Sequence, residues 1–254
     1  MDFTKLNLGV DGDSITAGDQ WSYHVYKKLG FATHSNVAVG SSVWYKRTFT
    51  RGDKSVTTQN YDDADFAGIS GGWEETDDMD ELLMRANNCA VVHIQQFIAG
   101  YRKGNIPAPD VFAFAMGTND EENMLGDVSK VLSGKSLEGN ENIDLFTEAG
   151  AMRYCIQTIA ENFPNARIFV NTPIQTARPE HNAKIEKQIR EVFIPVCGAM
   201  GVQLIDCFHE CGICEKFEVI DGEGRYLRDG LHPMENGQER EGLYVASQIA
   251  ARMY

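Results

Sequence analysis

Short runs that are apolar at almost every position alternate along this chain with stretches whose apolar residues recur every three or four positions. Five such runs, at residues 6–10, 35–39, 110–116, 167–170 and 202–205, read as strands. Continuous apolarity is what a strand covered on both faces requires. Between them, Ala149, Met152, Ile156, Ile159 and Phe163 step as one helix face, closed by Pro164. Ile185, Ile189, Val192 and Val196 make a second stripe, which Pro195 is expected to kink or end. Leu83, Ala90, Val91, Ile94 and Phe97 read as a third, and Ala246, Ile249 and Met253 as a last one. Strand–helix alternation of this kind implies βαβ units and a parallel sheet with helices on both faces, an α/β fold. With no repeat, low-complexity tract or Pro/Ser linker, residues 1–254 are expected to form one domain.

Two stretches break the alternation. Residues 41–80 are polar and Gly-rich and read as a long insertion carrying Trp44, Tyr45, Phe49, Tyr61, Phe66 and Trp73. These rings suit either a lid or sugar-stacking platform, or anchors that pin a loop to the body. Residues 121–142 are acidic and dotted with glycine. The formal net charge of −14 argues against a nucleic-acid or anionic-membrane partner, which needs a basic surface. No apolar run is long enough to span a bilayer. The first residues, Met1-Asp2-Phe3-Thr4, show no basic region before an apolar one, so no secretory signal is visible and the compartment stays open.

Chemistry-bearing residues sit where the strands end. The first apolar run breaks into Gly12-Asp13-Ser14-Ile15-Thr16. A serine there lies at the carboxyl edge of the sheet, where open α/β folds keep their ligand crevice, and reads as a nucleophile or as a helix cap. The second run ends at Gly40, where a missing side chain lets a backbone N–H approach a ligand. The third ends in Gly117-Thr118-Asn119-Asp120, whose Asn119 amide can aim into the same crevice. After the fifth comes Asp229-Gly230-Leu231-His232-Pro233, whose i, i+3 spacing lets Asp229 hold the His232 ring, as a surface ion pair or as half of a triad. Parallel strands present all their carboxyl ends at one edge, so these four loops are expected to converge.

Together, these four segments resemble blocks I, II, III and V of the SGNH (GDSL-type) hydrolases, in the family's order, with block II matched by little more than its glycine. The resemblance implies a flavodoxin-like three-layer α/β/α sandwich with a five-stranded parallel sheet. It implies Ser14 as nucleophile, His232 as general base and Asp229 as its orienting partner. The oxyanion hole would combine the N–H groups of Ser14 and Gly40 with the Asn119 side chain. It implies a serine esterase acting on a small acyl, chiefly acetyl, ester of a small molecule or carbohydrate, without metal or organic cofactor.

Other readings compete. Asp11-Gly12-Asp13 also resembles the D-x-D motif of haloacid-dehalogenase-type phosphatases, with Asp11 as nucleophile, Asp13 as acid and Mg²⁺ on the phosphate. Cys207, Cys211 and Cys214 have the spacing of a radical S-adenosylmethionine iron–sulfur motif, though they follow the last strand; thiols or a disulfide fit better. Cys89, Cys155 and Cys197 read as buried thiols. A non-catalytic binding module on the same fold is the third alternative.

Overall fold

Strand β1 (Asn7–Gly12) lies inside a five-stranded parallel sheet, between β2 (Thr33–Asn36) and β5 (Val111–Ala115), with β6 (Arg167–Asn171) and β7 (Gln203–Ile205) beyond. The computed structural model describes residues 1–18, 20–63, 68–71, 76–134, 136–137 and 141–253. The interior strands are apolar throughout because each feeds two layers. Phe112, Phe114, Ile168 and Val170 join one cluster, while Val111, Ala113 and Phe169 join the other. Fully burying one such side chain is worth about 1.5–3 kcal/mol.

Helices α3 (Ala90–Arg102), α5 (Glu148–Asn162) and α7 (Ile194–Met200) supply the first cluster; α1 (Gln20–Leu29) and α9 (Glu235–Arg252) supply the second. The shorter helices are α2 (Met79–Ala86), α4 (Val128–Val131), α6 (Pro179–Gln188) and α8 (Cys207–Glu210). At the contact of α1 with α9, a Cβ on Gly242 would lie 2.5 Å from the Trp21 carbonyl oxygen and 2.6 Å from His24 Cβ. Only glycine lets these early and late helices approach so closely. Among the described residues, no helix is long and apolar enough to cross a membrane.

The structure departs from the periodicity in four places. The second strand is Thr33–Asn36, not 35–39, because an edge strand needs no continuous apolarity. Residues 37–39 still run beside β1, with the N–H groups of Val37 and Val39 donating to Val10 and Gly12 carbonyls. The stripe from Leu83 to Phe97 is two helices, broken at Asn87-Asn88-Cys89. Of the two outcomes expected at Pro195, the helix does not end there: a π-helical turn, Ile189–Phe193, interrupts the α-helical pattern just before it, and Pro195 stands in the first turn of α7, where a missing N–H is tolerated. The 41–80 insertion contains a hairpin of β3 (Thr48–Arg51) and β4 (Lys54–Thr57). In it Trp44 is fully buried against Phe114 and Phe193, and Tyr45 is 3% exposed, so these two are anchors and not a platform. Phe66 and Trp73 lie outside the described residues.

Candidate active site

The strand order β2-β1-β5-β6-β7 reverses direction of progression between β1 and β5, which opens a crevice at their carboxyl ends. Ser14 follows β1 there and Asn119 follows β5. The turn after β1 is held by Asp13, whose carboxylate accepts from the Ile15 N–H at 3.0 Å while its carbonyl accepts from Thr16 and Ala17. Ser14 Oγ lies 3.0 Å from His232 Nε2, although the two residues are 218 positions apart. On the other side of the ring, His232 Nδ1 is 2.8 Å from Asp229 Oδ2. Asp229 Oδ1 accepts the backbone N–H groups of Leu231 and His232 at 3.0 and 2.7 Å. Burial raises the Asp229 carboxyl, but these bonds and the ring outweigh it and bring it down to about 2. An ionised Asp229 fixes the proton on Nδ1 and leaves Nε2 free to accept from Ser14.

Gly40 lies beside Ser14: a Cβ built on it would lie 3.7 Å from Ser14 Cβ and 2.8 Å from Ser70 Oγ. Ser41, next to it, has φ +64°, so the chain turns sharply at this point. Neither the Ser14 nor the Gly40 N–H has a hydrogen-bond acceptor among the described residues. Asn119 donates from Nδ2 to the Ser42 carbonyl at 3.0 Å. That bond fixes the amide's orientation and uses one of its two N–H donors, leaving the second. The segment around Asn119 is held from behind. Lys184 Nζ donates to the carbonyls of Thr118 and Asp120 at 2.8 and 2.9 Å, and His181 Nε2 donates to Thr118 at 2.9 Å. Burial lowers the His181 ring to about 4, so near neutral pH the ring is uncharged while its Nε2–H donates to Thr118.

The five residues singled out in the sequence, Ser14, Gly40, Asn119, Asp229 and His232, are thus brought to one edge, and a bond chain Ser14–His232–Asp229 joins three of them. Sequence reasoning missed the two glutamines that tie the loops together. Gln20 Nε2 donates to the carbonyls of Ser14 and Ala17, while Gln238 Nε2 donates to Gln20 Oε1 and the Pro233 carbonyl. Their partnership spans the whole chain and leaves no local signal.

The competing motifs fare differently. Asp11 is fully buried, with Oδ1 accepting from Gly12 N–H and from His93, and Asp13 is 1% exposed. Neither presents a carboxylate to a substrate phosphate. Burial lifts the Asp13 carboxyl to about 6, against hydrogen bonds from Ile15 and Thr118. Cys207, Cys211 and Cys214 are free thiols, the first two buried, as are Cys89, Cys155 and Cys197. No group of three metal-ligating side chains occurs among the described residues. A cleft of about 460 Å³, lined by Tyr45, Phe49, Met124 and Phe146 among others, opens beside Glu121, two residues beyond Asn119.

No family model and no curated protein matches the chain. Solved structures do match its fold over nearly full length. A Lactobacillus plantarum protein is 15% identical with a TM-score of 0.58, covering 98% of this chain and 99% of its own. Est24, a carbohydrate acetylesterase from Sinorhizobium meliloti, is 15% identical with a TM-score of 0.54, covering 97% and 99%. The M. smegmatis aryl esterase is 15% identical with a TM-score of 0.53 and the same coverage. Two Bacteroides proteins with this fold carry GDSL-like lipase in their names. The chain therefore has the α/β fold of proteins named as GDSL-like lipases and esterases, in keeping with the resemblance read from its motifs.

Proposed function

We propose that this chain is a serine esterase of the SGNH hydrolase type, cleaving a small acyl ester through an acyl-enzyme. The observation that carries this reading is the bonded series Ser14 Oγ, His232 Nε2, His232 Nδ1, Asp229 Oδ2, set where the sheet order reverses. A neutral hydroxyl is a weak nucleophile until a base takes its proton. As Ser14 Oγ attacks the ester carbonyl carbon, His232 Nε2 takes the hydroxyl proton, and Asp229 stabilises the imidazolium. The carbonyl oxygen becomes an oxyanion among the N–H groups of Ser14 and Gly40 and the spare Asn119 N–H. Collapse breaks the C–O bond to the alcohol, which leaves with the proton from His232. Water then adds to the acyl-enzyme by the same route, releasing the acid and restoring Ser14. The residues need no metal or organic cofactor for this sequence of steps.

The substrate class that fits best is an acetyl or similar short acyl group on a small molecule or carbohydrate. Est24, which shares the fold, is named a carbohydrate acetylesterase, and this supports the choice. Purified protein should hydrolyse p-nitrophenyl acetate, and Ser14→Ala should abolish this with the fold intact by circular dichroism. Wild-type turnover in Ser14→Ala refutes the assignment. A panel of acetylated sugars against longer p-nitrophenyl esters then decides the acyl and alcohol preference.

A further inference from the structure

Behind the site lies a second histidine–aspartate pair that the proposed chemistry does not use. It arises from simple periodicities. On β1, Gly9 and Asp11 point to the same face, and on α3, His93 and Phe97 are one turn apart. Gly9 has no side chain because Phe97 and Phe112 fill that space; a Cβ there would lie 2.7 Å from the Phe112 ring and 3.0 Å from that of Phe97. One step along, His93 Nδ1 meets Asp11 Oδ1 at 2.8 Å, with both side chains fully buried. His93 Nε2 faces Asn88 Oδ1 at 3.1 Å. The Asn88 orientation is set by its other end, since Nδ2 donates to the Gly40 carbonyl at 2.7 Å and a carbonyl only accepts. Oδ1 therefore faces His93, so Nε2 carries a proton and donates it, and a further proton lies between Nδ1 and Asp11. The Ser42 hydroxyl sits 2.8 Å from the same Asn88 Oδ1 and close to the Val39 carbonyl, its one proton serving either.

We propose that Asn88, held in place by the buried Asp11–His93 pair, is a positioning residue that aligns both oxyanion donors, Gly40 and Asn119. It clamps Gly40 directly through the carbonyl, and it holds Ser42, whose own carbonyl fixes the Asn119 amide. A buried ionisable pair costs stability unless each polar atom is satisfied, and a hydrophobic pair of the same size would pack as well. Asp11 Oδ1 also accepts the Gly12 N–H, and its Oδ2 is buried with no hydrogen-bond partner among the described residues, so stability does not explain the pair. Its link through Asn88 to the Gly40 carbonyl and the Ser42 hydroxyl fits preorganisation of donors before charge develops. The break between α2 and α3, which places Asn88 outside a helix, serves the same end. This inference rests on the esterase reading and adds a role to residues which that reading leaves idle.

The test is steady-state hydrolysis of p-nitrophenyl acetate, with inhibition by phenylboronic acid, whose tetrahedral adduct on Ser14 mimics the oxyanion. Asn88→Ala and Asn88→Asp should each lower kcat tenfold to a hundredfold with KM within twofold, and weaken phenylboronic acid by a similar factor. His93→Gln, which keeps a donor toward Asn88, should retain more kcat than His93→Leu. Ser42→Ala, which deletes one oxygen, should lose a smaller factor in kcat and keeps the test decisive should the Asn88 variants not fold. Wild-type kcat in a folded variant, a loss confined to KM, or unchanged boronic acid affinity overturns the proposal. Ser14→Ala, run alongside, separates the two claims. Turnover in Ser14→Ala sinks the esterase reading itself; an inert Ser14→Ala with wild-type behaviour at Asn88 and Ser42 sinks only the positioning role.

Discussion

Gln238 Nε2 donates to Gln20 Oε1 at 3.2 Å, joining a residue of the last helix to one at the start of the first. All four side-chain N–H donors of the pair are used, and two reach the loops of Ser14 and His232 through the Ser14 and Pro233 carbonyls. On the proposed esterase reading, the pair therefore sets the spacing between Ser14 and His232. A misplacement of about 1 Å in such a pair costs on the order of a hundredfold in rate. Gln238→Ala should lower kcat about tenfold or more on p-nitrophenyl acetate while KM and the melting temperature change little. A variant with full kcat would show that the loops hold their spacing unaided.

Asp229→Asn removes the charge that keeps the proton on His232 Nδ1. With the wrong tautomer favoured, Nε2 no longer accepts from Ser14, and kcat should fall about 10³- to 10⁴-fold. Labelling of Ser14 by a fluorophosphonate should slow in parallel. Because Asp229 stays ionised down to about pH 2, the wild-type acid limb should not reflect its protonation anywhere above about pH 3.

On the proposed reading, Asn119→Ala deletes an oxyanion donor and should lower kcat by about a hundredfold or more, with KM nearly unchanged. Comparing kcat with KM is the check; an effect on KM alone would place Asn119 in ground-state binding.

The fold carries buried carboxyls whose folded pKa lies above the ordinary range, chiefly through burial: Asp13 at about 6 and Glu241 at about 8. Such groups bind more protons folded than unfolded, so stability falls as pH rises. From the ordinary values of 3.8 and 4.5, the decline should run from about pH 4 to about pH 8. Urea unfolding across that range measures it. Glu241→Gln should flatten the upper part of the decline, raising stability at pH 8 more than at pH 5; equal effects at both would contradict the assignment.

Much of this was legible in the residues. The interior strands announced themselves because burial on two faces leaves no room for polar alternation, and the end of each strand pointed to Ser14, Gly40 and Asn119. His232 and Asp229 were legible from their spacing, which a local turn enforces. What escaped was set by distant partners. Thr33–Asn36 is polar because it lies at the edge, so apolarity places the second strand two residues late, at 35–39. Asn87-Asn88 hides inside an apolar stripe that continues in phase across the break. Trp44 gives no hint in the sequence that Phe114 and Phe193 enclose it. His93, Gln20 and Gln238 acquire meaning only when strands and helices far apart in the chain are laid side by side.

The close seat of α9 on α1 at Gly242 helps to bring together two loops whose Ser14 and His232 stand 218 positions apart. On the proposed esterase reading, a side chain at position 242 would wedge these helices apart and weaken hydrolysis without altering any residue of the site.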